Sequence, residues 1–334
     1  MYVLAGAPGV IASIGCVCNV IILLLIMTIS KLRSQRQLTS FIVLAVIDFG
    51  TCLGGASMRW IALVKHFGWP VPPILCDYAM SLAIDTARIS QRLVLYIAGE
   101  RLVSLYRGPN HTQQAFNHKA RLRTASATTA IVIWNTIEKY LMISLIESGD
   151  QQIRFYSPFV CLPYFTGYKG YLHVQPGINV ANLICLILMY IALIYKYRSS
   201  VQLLANSATD HPANAEVEQP PPQQPSQAFR QTSAERRQYR EFTLTVSTLV
   251  MCVVVCYGVP GVLAGAYTQP WVQDQDDYQH LVVIIHALAT GGALNATLNL
   301  AIYIGNNTDF GVALWGVMYY CRKRLKCKAG AEVH

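Results

Sequence analysis

Apolar residues run through the chain in long blocks separated by short polar stretches. Seven blocks stand out, over about 8–30, 38–64, 74–99, 125–146, 174–195, 243–267 and 279–304. Each is about 20 residues or longer, enough for an α-helix to cross a hydrocarbon layer of ~30 Å. The pattern predicts an all-α fold, a seven-transmembrane helix bundle over 8–304 preceded by a short outer tail, 1–8. An odd count places the two termini on opposite faces. No internal period of the kind found in solenoids or inverted-repeat transporters is visible. Residues 310–320, FGVALWGVMYY, are apolar nearly all round but too short to span, and CRKRLKCK follows them. This predicts a short interfacial eighth helix and a basic tail within 305–334. Residues 199–235 stand apart. Their EVEQPPPQQPSQ run is rich in Pro, Gln and Ser and has no aromatic residue. Such a segment buries too little apolar surface to fold, so it predicts a disordered loop that divides the spans five and two.

Composition sharpens this reading. Of 334 residues, 53% are hydrophobic and 13% charged, against about 25% charged in soluble domains. The basic residues are unevenly placed. Lys31, Arg33 and Arg36, Arg107 to Arg123, Lys196 to Arg240, and Arg322 to Lys328 fall in connections of one face and the tail. Together they hold 18 of the 26 Lys and Arg. The other face has Lys65, Arg154 and Lys169, with Asp274, Asp276 and Asp277. Positive charge stays cytoplasmic, so the N-terminus is expected outside and the C-terminus inside. The net charge of +9 then reflects topology and attraction to anionic membrane lipid, not nucleic acid. Residues 1–8 carry no positive n-region, so the first span is expected to serve as its own signal anchor.

Ten cysteines divide by location. Cys16, Cys18, Cys52, Cys185, Cys252 and Cys256 fall within spans and are expected as small core residues. Cys321 and Cys327 lie in a basic juxtamembrane setting suited to S-acylation. Cys76 and Cys161 fall on the outer face. A disulfide between them would tie the loop 147–173 to the bundle and stabilise it by about 2–4 kcal/mol; two free thiols are the alternative. No metalloprotease, Walker, zinc or nucleophile motif occurs, so no enzyme is expected.

The charges inside the blocks carry the functional question. An ionised side chain within a span costs about 2.5–3.5 kcal/mol on insertion scales, and it is usually paired and often functional. Glu100 and Arg101 stand together at the inner end of the third block, where an interfacial ion pair that merely fixes depth is the plainest reading. Arg59 lies in the second block, Asp85, Arg88 and Arg92 in the third, Glu138 and Lys139 in the fourth. Arg88 and Arg92 are four apart and share a helix face, and Glu138 can pair with either. These residues read as a structural ion-pair cluster, or as a site where Arg59 or Arg88 meets an anionic ligand group. His286, near the outer end of the last block, is a further candidate ligand contact. Asp48 is a lone carboxylate deep in the second block. It must protonate, pair or bind a cation.

Together these features resemble a rhodopsin-like (class A) G-protein-coupled receptor, over nearly the whole chain. The resemblance rests on Asn19 in CNVIILL, Asp48 in LAVID, Cys76, Glu100-Arg101, Trp134, Pro260 in CYGVPG, and NLAIY at 299–303 with Phe310 beyond it. Cys76 precedes Arg101 by 25 residues, the family's spacing. The resemblance implies a plasma-membrane receptor that binds an extracellular small molecule or short peptide and activates a heterotrimeric G protein. It implies that Glu100 holds Arg101 at rest and that Arg101 is freed when the sixth helix swings outward. Tyr303 and the position of Arg240 belong to the same switch. It also implies a sodium ion at mid-bundle on Asp48, Ser90, Asn295 and Asn299, the alternative being a water-filled network with protonated Asp48. Ala83 and Ala293 stand where amine-binding and retinal-binding relatives carry Asp and Lys, so those ligands are set aside. The sequence departs from the pattern at Leu102, Gly258, Leu300 and Arg240, and the fifth span lacks a central proline, which points to a divergent, orphan branch. Two rival readings are a transporter or channel using Asp85, Arg88 and Glu138, and a receptor-like chain that no longer signals.

Overall fold

The computed structural model of the chain describes residues 2–30, 32, 38–107, 117–147, 180–199, 233–258 and 275–331. At the ends of several helices, and over the first half of the last long one, it describes the backbone alone. The described residues are almost entirely helical and contain no strand. The helices are α1 (Tyr2–Thr28), α2 (Leu38–His66), α3 (Pro73–Arg107), α4 (Asn117–Glu147), α5 (Val180–Ser199), α6 (Ser233–Val253), α7 (Gln275–Asn306) and α8 (Thr308–Ala331). A π turn, Val254–Gly258, continues α6.

Helix ends follow local chemistry. Gly68, at φ 80°, closes α2. The Gly68 N–H bonds Lys65 O at 3.0 Å and the Trp69 N–H bonds Val64 O at 3.3 Å. This is the Schellman arrangement, whose left-handed residue is nearly always glycine. At the other end of the chain, Asn307 is a one-residue break between α7 and α8. Its Oδ1 accepts the Phe310 N–H at 3.1 Å, which caps α8, and Asp309 in the first turn suits the helix dipole. The apolar patch expected over 310–320 is therefore the front half of a 24-residue helix. With a cap at one end, the basic residues behind the patch continue the helix. α1 likewise begins at Tyr2, so residues expected as a tail are helical. The proline-rich 199–235 segment falls almost wholly outside the described residues.

α1 packs on α2 and α7, α2 on α3 and α7, α3 on α4 and α6, and α6 on α7. α5 reaches α3, with Met189 against Gly99. One apolar core, including Ile22, Leu44, Leu93, Leu193, Leu249, Tyr303 and Phe310, joins seven of the helices. The outward faces are also apolar: Ile14 and Val17 on α1, Ile133 and Trp134 on α4, Leu188 and Ile191 on α5 are exposed. Apolar surface on that scale is unusual for a soluble monomer. Among the described residues, four helices are long and apolar enough to cross a membrane, over Gly6–Thr28, Thr39–Lys65, Val180–Ser199 and Arg240–Gly258. The chain thus has the make-up of a membrane protein. α3 and α4 have the length, but ionised and polar residues dilute their apolar runs.

Candidate functional site

Three polar groups interrupt the apolar packing. The deepest is centred on Asp48, which is fully buried. Its Oδ1 accepts the Ser90 hydroxyl at 2.6 Å, and its Oδ2 accepts the Asn299 amide. α2, α3 and α7 thus meet on one carboxylate. Asn295, one turn before Asn299, is buried too. The Oδ1 atoms of both asparagines receive no hydrogen bond among the described residues. Asn19 on α1 braces the group, its amide donating to Gly15 O at 2.9 Å and Ala296 O at 3.1 Å. Thr51 and Thr86 add a hydroxyl link between α2 and α3 at 3.0 Å. This set offers one carboxylate and several neutral oxygens, the ligand chemistry of a hard cation. Two buried carbonyl oxygens without donors fit such an ion or its water. No cluster of three His, Cys, Asp or Glu that could hold a metal occurs among the described residues.

The second group lies at the inner end of α3. Arg101 is only 4% exposed, and a buried guanidinium needs acceptors. Thr243 on α6 supplies one, accepting from Nε at 3.0 Å and Nη2 at 2.5 Å. The Phe242 ring lies under the guanidinium, 5.0 Å away at its centroid, a cation–π contact. Phe242 meets Phe41 at 5.5 Å, Phe41 stacks on Tyr303 at 4.8 Å, and Tyr303 meets Phe310 at 5.7 Å between centroids. Arg101 and Tyr303 thus share one packed unit. Arg240 does not join it and is exposed. Its neighbour Glu241 accepts from Arg237 Nε at 2.9 Å and from the Thr308 hydroxyl at 2.8 Å. Arg237 also donates to Thr308 at 2.5 Å. These bonds clasp the start of α6 to the start of α8. Asn306 adds a bond to Thr248 at 3.1 Å.

The third group joins α3 to α4. Arg92 pairs with Glu138 and donates to Asn135 Oδ1 at 3.2 Å, so Arg92 and not Arg88 is the described partner of Glu138. Lys139 pairs with Asp85 at 2.6 Å. Arg88 is half-buried on the same stretch of α3. Arg59 is half-buried on α2, with Gly9 of α1 close beside it, and it has no ionic or hydrogen-bond partner among the described residues.

Cys76 is disulfide-bonded. Cys16, Cys18, Cys52, Cys185, Cys252 and Cys256 are free thiols, as expected of span cysteines. Cys161 and Pro260 lie outside the described residues, and the side chains of His286, Cys321 and Cys327 lie outside those described. Thr243 and Phe242 were not legible as site residues; Glu241 was visible as an acid beside Arg240, but its clasp on Arg237 and Thr308 was not. Thr243 and Phe242 follow Arg240 within one turn, and only the packing of α6 on α3 decides which of them faces Arg101.

A comparison with protein-family models finds no match, and a comparison with curated proteins finds no relative.

Proposed function

We propose that this chain is a seven-span plasma-membrane receptor of the rhodopsin-like kind, with its N-terminus outside and its C-terminus cytoplasmic. It binds an extracellular small molecule or short peptide and activates a heterotrimeric G protein. The observation that carries this reading is Arg101, a buried cation at the inner end of α3 bound to α6 through the neutral groups Thr243 and Phe242. An arginine used only to set depth would extend its head toward water, as long basic side chains do. Here outward movement of α6 would remove both of these α6 partners and present the guanidinium at the inner face. An agonist need only favour that arrangement by its differential affinity for the two states.

In this reading Cys76 pairs with Cys161 across the outer face. A sodium ion on Asp48, Ser90, Asn295 and Asn299 stabilises the resting state. Arg59, Arg88 and His286 face the ligand, and Cys321 and Cys327 carry lipid. The ion pairs Arg92–Glu138 and Lys139–Asp85 hold α4 to α3, which supports a structural role for those charges over a transport pathway. The test is basal nucleotide exchange on G proteins by the full chain in membranes, against Arg101→Ala. Measurable exchange that the substitution abolishes is expected. No exchange with any G-protein class, or exchange equal in the variant, would overturn the receptor reading.

A further inference from the structure

The end of α6 carries an aromatic residue whose placement has no packing explanation alone. The π turn Val254–Gly258 inserts one residue into the helical repeat, which turns its last residues away from the facing a regular helix would give them. Two results can be read directly. Gly258 faces α5, where an added Cβ would stand 2.6 Å from Leu183 Cδ1. Tyr257 instead faces α7, where an added Cβ on Gly292 would stand 3.2 Å from its Oη and 3.4 Å from Cε1. The turn is held close to α7, because a Cβ on Gly291 would fall on the Cys256 carbonyl oxygen. In an α-helix that carbonyl would take the N–H of residue 260, and Pro260 has none.

The Tyr257 hydroxyl is buried and has no hydrogen-bond partner among the described residues. Leaving a buried hydroxyl unbonded costs about 1–3 kcal/mol, and a phenylalanine would fill the slot without that cost. Gly292 lies one turn before Asn295, whose Oδ1 is likewise unbonded. The unbonded hydroxyl thus seats on α7 at Gly292, one turn from the unbonded Oδ1 of Asn295 and two turns from Asn299, which donates to Asp48.

We propose that Tyr257, turned inward by the π turn and seated against Gly292, is the positioning residue that closes the Asp48 site and accepts a hydrogen bond from a water on a monovalent cation held there. This rests on the cation reading of Asp48 and adds the residue that completes its shell. The test uses the purified full chain in detergent, with thermal unfolding monitored as NaCl replaces choline chloride at constant ionic strength. The unmodified chain should gain stability with sodium, and Asp48→Asn should lose that gain. Tyr257→Phe should unfold at nearly the unmodified temperature in choline but need about three- to tenfold more sodium for the same gain, the loss of one hydrogen bond. Gly292→Ala, which pushes the ring aside and keeps the hydroxyl, should weaken sodium similarly and decides the matter if Tyr257→Phe does not fold. Gly258→Ala, which faces Leu183, should leave the sodium titration unmoved. No sodium effect in the unmodified chain, or an unchanged titration in Tyr257→Phe and Gly292→Ala, would overturn the inference. Nucleotide exchange is read separately. A sodium effect that depends on Tyr257 in a chain that activates no G protein would count against the receptor reading alone.

Discussion

On α6, Arg101 meets the Thr243 hydroxyl and the Phe242 ring, and the contribution of the hydroxyl has a measurable size. Thr243→Val keeps the shape of the side chain and removes the acceptor for two N–H groups. Taking an acceptor from a buried charged donor costs about 1–3 kcal/mol or more. If that cost falls on the resting arrangement, basal nucleotide exchange should rise about tenfold, since each 1.4 kcal/mol is a factor of ten. Equal exchange in the variant would show that Thr243 does not restrain the switch. Arg240, at the position the resemblance assigns to the same switch, plays no part in this, because it is exposed. The sequence pointed to Asp48, Ser90 and Asn299, which do meet, only through the family resemblance, since intervals of three and four fix a face of one helix but not the meeting of three. It could not locate Thr243 or Tyr257, whose facing depends on interhelix packing and, for Tyr257, on a one-residue π insertion. Neither has a local sequence signature.

At the level of elements, two contacts separate structural need from helix propensity. α4 is fastened to α3 through Arg92 and Glu138, whose side chains are 12% and 7% exposed. Glu138→Ala should destabilise the protein by about 3–5 kcal/mol, because it strands a buried guanidinium. The double variant Arg92→Leu with Glu138→Leu should recover much of that loss, since apolar pairs of similar volume often replace buried ion pairs at little cost. Thermal unfolding of the singles and the double gives the coupling directly. A second pair of variants tests the close approach of α6 to α7. Gly291→Ala places a methyl group on a backbone carbonyl that cannot step aside and should cost about 1–3 kcal/mol. Gly305→Ala, on the same helix with nothing within 4 Å, should stabilise by about 0.5–1 kcal/mol through helix propensity alone. A lower unfolding temperature for both would mean that helix packing is not what glycine serves at 291.

At the scale of the whole molecule, the sequence was most informative about helix number and placement and least about helix ends. Long apolar blocks give the helices, yet α1, α3 and α8 all extend past the apolar stretch that predicted them, because backbone hydrogen bonding continues until a cap or a left-handed residue stops it. Asn307 and Gly68 are such stops and are visible in the sequence. Cys76 is disulfide-bonded, and Cys161 is its proposed partner. Thiol labelling of intact cells without reductant should modify neither Cys76 nor Cys161; modification of both would remove the tie. Reduction should lower stability by about 2–4 kcal/mol. The glycine stop after α2 also bears on biosynthesis. Only residues 67–72 separate α2 from α3, and Thr51–Thr86 and Asp48–Ser90 bond the two helices to each other. A contact this local in sequence forms early, while later helices are still being synthesised. In the seven-span reading proposed above, α3, loaded with charge, is then delivered to the membrane beside a partner that already satisfies some of its polar groups. The six-residue turn thereby sets an order of assembly, in which the less apolar of these two helices is carried in as half of a hairpin.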